Sequence, residues 1–138
     1  MFTTVSPVTP LTQLRIDARC PAPGTVQVAV IGEVDLSTSD LLRVRLLTVL
    51  SALRPHRIEV DLAGVTFLDC SGLTVLVVLG QAAARLGCRL RITNPQPIVR
   101  RVLDLTGLLN VLTAGFDQAP PVATAADVTA SAATLIAA

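Results

Sequence analysis

The residues best placed to do chemistry stand together in Asp69-Cys70-Ser71-Gly72, where the apolar stretch Val65 to Leu68 gives way to a run with helical spacing. Two nucleophile-bearing side chains, Cys70 and Ser71, follow a carboxylate at what should be a helix start. The unpaired N–H groups and the dipole of such a terminus favour a negative group, either a phosphate on a hydroxyl or a thiolate. A phosphate on Ser71 would gain from those amides, yet it would set a charge of about −1.5 to −2 beside Asp69, an arrangement suited to a switch. The same residues also fit a purely structural role, in which Asp69 or Ser71 caps the helix and Gly72 allows close helix–sheet packing. The residue types leave both readings open.

Catalysis has little else to build on. A thiol at a helix start is how phosphatases and arsenate reductases hold a nucleophile, but they need Cys-x5-Arg, and the matching position here is Leu76. No Cys-x-x-Cys, Gly-x-Gly-x-x-Gly or Gly-x4-Gly-Lys-Ser/Thr occurs. The cysteines at 20, 70 and 88 are odd in number and widely spaced, which predicts free thiols in a reducing compartment rather than a disulfide framework or a zinc site. The lone His56 gives a histidine-based metal site too few ligands. The expectation is a binding protein with no catalytic residue, no metal and no cofactor.

The elements that must position this segment follow from periodicity. Leu14, Ile16 and Ala18 alternate with polar residues as in a half-exposed strand, Pro21 to Gly24 reads as a turn, and Thr25 to Ile31 as a second strand, so a hairpin opens the domain. After Gly32, any of Ser37, Thr38 or Ser39 can cap a helix carrying Leu41, Leu42, Leu46 and Leu50. Arg54-Pro55 should stop it. Arg57 to Leu62 is expected as a short central strand, Val65 to Leu68 as a separate extended or turn segment, and Ser71 to Leu86 as a helix ended by Gly87. Cys88 to Thr93 should return as a strand, Pro97 to Gly107 should be helical, and Leu109 to Thr113 a last strand. This succession is that of an α/β layer fold with a mixed, mostly parallel sheet of about four to five strands and packed helices.

Length and composition set the outer bounds. The 138 residues suit one domain with tails: a lead-in over 1–10, the domain over 11–117, and an Ala-rich helix or tail over 118–138. Half the residues are apolar and 15% charged, so the chain collapses into a core. The net charge of +1 comes from eleven scattered Arg with no Lys, and three Phe are the only aromatics, which argues against nucleic acid as a ligand. No apolar run approaches the ~20 residues of a membrane helix, and the first ten residues lack the basic and apolar regions of a secretory signal. A cytoplasmic protein without direct membrane insertion is expected.

Four segments, taken in order and spacing, carry a family resemblance: Gly32-Glu33-Val34-Asp35-Leu36, Val60-Asp61-Leu62, Phe67-Leu68-Asp69-Cys70-Ser71-Gly72-Leu73, and Val102-Leu103-Asp104-Leu105-Thr106-Gly107-Leu108. Together they resemble the STAS domain of bacterial anti-sigma factor antagonists over roughly residues 11 to 117. The resemblance implies a single STAS-type α/β domain that binds an anti-sigma factor of serine-kinase type, freeing a sigma factor for transcription, with phosphorylation of the antagonist ending the binding. In that family the phosphoryl group is accepted by the residue after the Asp, which here is Cys70, so the usual switch is altered. Ser71 acting as acceptor, constitutive binding, and a redox-sensitive Cys70 are the three alternatives, and a constitutive or differently regulated binder is the favoured one. The resemblance also implies a partner surface of Glu33, Asp35, Asp69, Cys70, Ser71 and Gly72. A second use of the same fold, docking on a membrane transport ATPase or transporter, suits the loss of the acceptor serine. The sequence leaves the oligomeric state open.

Overall fold

Alternation of apolar and polar residues dominates the strands, and the computed structural model, which describes residues 14–116, turns it into a sheet with one covered face. The strands β1 (Leu14–Ala22), β2 (Thr25–Val34), β3 (Arg57–Leu68) and β4 (Arg89–Thr93) lie in the order β1-β2-β3-β4. β1 and β2 form an antiparallel hairpin, while β2 with β3 and β3 with β4 are parallel. Val26, Val28 and Val30 of β2, Ile58, Val60 and Leu62 of β3, and Leu90 and Ile92 of β4 all point to one face and are buried. Their sequence neighbours Gln27, Glu59, Asp61 and Arg91 point to the other, polar face.

Each parallel connection carries a helix, because parallel neighbours need a crossover. α1 (Ser39–Thr48) joins β2 to β3, and α2 (Cys70–Arg85) joins β3 to β4. The two helices pack against one another and bury Leu42 and Leu46 of α1 and Leu73, Leu76, Leu79 and Ala83 of α2, a spacing of three and four that keeps one helix side on the sheet. Full burial of a leucine such as Leu76 contributes about 1.5–3 kcal/mol. α1 runs on into a π-helical turn, Val49–Leu53, and ends at Arg54 with φ 44°. α2 ends as its sequence requires. Gly87 takes φ 78°, its N–H donates to Ala84 O at 3.1 Å, and the Cys88 N–H donates to Ala83 O at 2.8 Å, closing the last turn.

α3 (Pro97–Leu105) packs against β3, and α4 (Leu109–Ala114) against β4. Val99, Leu103 and Leu112 complete the core. Beyond α4, a Cβ on Gly115 would lie 3.2 Å from the carbonyl of Leu90, so the chain passes close to the outer strand β4 there, and Phe116 packs its ring against Gly80 of α2. At the opposite edge, Arg45 Nη2 donates to the carbonyl of Ile16 in β1 at 3.1 Å.

Two expectations are corrected. The segment 65–68 is not separate from the central strand, because β3 runs unbroken from Arg57 to Leu68, with a register slip against β2 after Ala29 and another after Gly32. Leu109 to Thr113 is helix, not strand. Leu108 and Leu112 are four residues apart and turn the same way, so a single turn buries Leu112 completely, whereas a strand there would have set Val111 and Leu112 on opposite faces. The sheet therefore has four strands among the described residues. The expected Ala-rich helix or tail over 118–138 and the lead-in over 1–10 lie outside the described residues.

Candidate functional site

β3 carries the chain to the carboxyl end of the parallel strands, and α2 starts there with Asp69 in extended backbone (φ −107°, ψ −171°). One carboxylate oxygen, Oδ1, accepts from the Ser71 N–H at 2.9 Å, the Gly72 N–H at 3.2 Å and the Ser71 hydroxyl at 2.5 Å. Asp69 is thus the N-cap and also fixes the Ser71 hydroxyl. Cys70 is exposed and Ser71 half-buried, while the Thr74 hydroxyl donates to the Cys70 carbonyl at 2.8 Å. A groove of about 490 Å³ opens from Cys70 along α2 past Leu73, Val77 and Val78 to Leu108, with Thr74 and Gln81 as its polar edge.

Gly72 explains how closely this turn sits on the interior. A Cβ there would lie 2.5 Å from Leu68 Cδ1 and 2.6 Å from Val34 Cγ1, so only glycine lets the first turn of α2 rest on these two side chains. Val34 and Leu68 are themselves buried register partners at the ends of β2 and β3.

The second loop, between β2 and α1, is brought alongside through the same residues: the Asp69 N–H donates to the Val34 carbonyl at 3.2 Å. Within it, Asp35 Oδ1 accepts from the Ser37 hydroxyl at 2.7 Å, the Ser37 N–H at 2.9 Å and the Thr38 N–H at 3.1 Å. The Thr38 hydroxyl donates to the Glu33 carbonyl at 2.8 Å, and the Asp35 N–H donates to Thr38 Oγ1 at 2.9 Å. The hydrogen bond from the Ser37 hydroxyl, with those from Thr38 and the two N–H groups, holds the Asp35 carboxyl below its ordinary value, against a smaller opposing effect of burial. Ser37, Thr38 and Ser39 give no side-chain cap to α1; Asp35 organises the turn instead. Glu33 is exposed and has no ion pair among the described residues.

The six residues singled out in the sequence therefore fall at one end of the sheet, in two loops joined at Val34, but in different states. Asp35 and Asp69 each spend one carboxylate oxygen on backbone amides, whereas Glu33 is unengaged. Two residues that pattern alone did not mark complete this surface. Leu36 is 82% exposed in the loop held by Asp35, and Phe67, the register partner of Glu33, is 43% exposed. Phe67 was detectable in principle, since a strand that buries Leu68 must turn Phe67 outward. Leu36 carries no such signal. Asp61 lies apart on the open sheet face, its Oδ1 accepting from the Ala63 N–H at 3.0 Å and from Asn94 at 3.3 Å. Among the described residues no group of His, Cys, Asp or Glu is gathered as for a metal, and no helix is long and apolar enough to cross a membrane.

A four-stranded mixed sheet with helices delivered to one face, and an acidic turn at the start of the second helix, is a STAS-type arrangement. Residues 19–124 match the model of the STAS domain family, and the chain belongs to that family. Among curated proteins it is 28% identical over 89 residues to the anti-sigma F factor antagonist of Paenibacillus polymyxa, covering 64% of this chain and 76% of the relative. The crystal structure of an anti-sigma factor antagonist from Mycobacterium paratuberculosis matches with a TM-score of 0.64 and 26% identity, over 72% of this chain and 82% of that one. The anti-sigma factor antagonist SpoIIAA in its unphosphorylated form shares the fold at a TM-score of 0.62 and 22% identity, over 70% and 84% of the two chains.

Proposed function

We propose that the protein is an anti-sigma factor antagonist: it binds an anti-sigma factor of serine-kinase type through the two joined loops, and so regulates sigma-factor-dependent transcription in the bacterial cytoplasm. It acts by binding and catalyses nothing itself. The observation that carries this reading is the first turn of α2, exposed at Cys70, half-buried at Ser71 and buried at Gly72, lying beside a fixed, carboxylate-bearing loop, with the Asp69 N–H to Val34 carbonyl bond joining them. The similarity to antagonists from two other bacteria supports it.

Cys70 stands at the position where the family accepts a phosphoryl group, and a serine kinase does not transfer to a thiol in its ordinary reaction. Ser71 is a poor replacement. Its hydroxyl hydrogen is directed at Asp69 Oδ1, and a phosphate there would meet the same carboxylate at close range. The chain accordingly works as a binder that the usual phosphorylation does not release.

Intact-mass analysis tests this after incubation with ATP and candidate anti-sigma kinases from the same organism, on the parent, Cys70→Ser and Ser71→Ala chains. Phosphate only on Cys70→Ser is the expected result: the kinase docks normally and Cys70 has removed the acceptor. Phosphate on the parent that disappears in Ser71→Ala would replace the constitutive reading with a switch moved by one residue. If calorimetry detects no binding to any of these kinases, the antagonist assignment fails.

A further inference from the structure

α3 turns an unusual face to solvent. Its buried side is Val99 and Leu103, and on the opposite side Ile98 (58% exposed), Arg101 and Leu105 (76% exposed) fall on one stripe at spacings of three and four. Arg100 and Arg101 are exposed and form no ion pair or hydrogen bond among the described residues. Asp104, also exposed, is the one carboxylate beside the two arginines, so this face keeps a net positive charge between apolar side chains, and its complement is an acidic surface with apolar anchors.

Such a surface exists on the same chain. Glu33 is exposed and unpaired, and Leu36 and Phe67 beside it in the chain and in the sheet register are exposed apolar residues. β4 stops opposite Asp61, but α3 carries the chain on toward the end that holds Glu33 and Asp69: Gln96 at its start donates to the Ala63 carbonyl, and Leu108, three residues past Leu105, lines the groove that opens from Cys70. Two copies related by a two-fold axis at that end can make the contact twice, α3 of each on the loop surface of the other, which closes the assembly instead of propagating it.

We propose that the α3 face docks on the Glu33–Leu36–Phe67 surface of a second copy, with Arg101 opposite Glu33 and Ile98 and Leu105 against Leu36 and Phe67. The reciprocal dimer covers Glu33, so it competes with anti-sigma factor binding; that consequence alone rests on the function proposed above.

Sedimentation velocity over about 10–500 μM protein, with no other protein present, tests the pairing directly. The parent should show a concentration-dependent dimer, weakened in about 0.5 M salt. Arg101→Glu and Glu33→Arg should each raise the dissociation constant at least about tenfold, as should Leu105→Ser. Mixing the Arg101→Glu and Glu33→Arg chains should restore dimerisation, since in that pair alone both contacts again join opposite charges. All these positions are exposed, and unchanged melting temperatures would confirm that the variants fold. A parent that stays monomeric over the range overturns the proposal. So does a dimer indifferent to Arg101→Glu, and so does a pair of charge reversals whose mixture stays monomeric, because the loop surface is then not what α3 meets.

Discussion

Replacing Asp69 by alanine removes one oxygen on which three donors converge: the N–H groups of Ser71 and Gly72 and the Ser71 hydroxyl. Loss of an N-cap to alanine costs about 1 kcal/mol, within a range of about 0.5–2. Bonds to a charged acceptor push toward the upper part of that range. Half-burial of Asp69 and Ser71 limits the loss, because water can reach the freed amides. The net expectation is a destabilisation of about 1–2 kcal/mol, or roughly 5–15 °C in melting temperature for a domain of about a hundred residues. Asp69→Asn keeps a side-chain oxygen at the cap and should lose no more than about 0.5 kcal/mol. Urea and thermal unfolding of the three chains at neutral pH measure both differences. If the alanine chain unfolds within about 0.3 kcal/mol of the parent, or the asparagine chain falls with it, the cap is not what holds the turn.

Gly72→Ala should destabilise by about 1–2 kcal/mol, because overpacking against Val34 and Leu68 outweighs the better helix propensity of alanine; a more stable variant would show that the contact relaxes. Burial pushes the Cys88 thiol up to about 11, so at pH 8 a maleimide should label Cys20 and Cys70 in the folded chain and reach Cys88 only after denaturation, as peptide mass mapping would show. The lowered folded-state value of Asp35 makes its contribution to stability present in full above the unfolded value near 3.8 and lost as the pH falls below that toward the folded value. Asp35→Asn should therefore lose part of the stability difference between pH 5 and the acid limb, and identical acid limbs would refute the role given to this loop.

Local chemistry made much of the fold legible. Gly87 was readable as a helix stop because only a left-handed residue closes the turn that Cys88 and Ala83 share. Alternation placed the inward valines of β2 and the inward residues of β3 for the same kind of reason. What sequence could not decide depended on packing. Whether 65–68 continues the central strand is settled by its partners in β2, and Leu109 to Thr113 is too short for its apolar residues to separate a helical turn from a strand. At the site, the residue types picked out side chains that gather at one end of the molecule but did not show their division of labour. A carboxylate committed to amides, as in Asp35 and Asp69, reads the same as a free one, as in Glu33, until its neighbours are in place.

The two margins of the sheet bear on how the protein can meet others. β1 carries Arg15, Asp17 and Arg19 exposed and has the Arg45 guanidinium on the Ile16 carbonyl, while Gly115 lies against the Leu90 carbonyl of β4. Another strand joining either side would meet charged side chains along the first and the backbone at Gly115 on the second. Each margin is in this sense guarded at a point, which disfavours lengthening of the sheet by a neighbour's extended segment. Contacts made through side chains protruding from loops and helices differ in kind from a backbone ladder that almost any sequence could join, because one substitution can retune them.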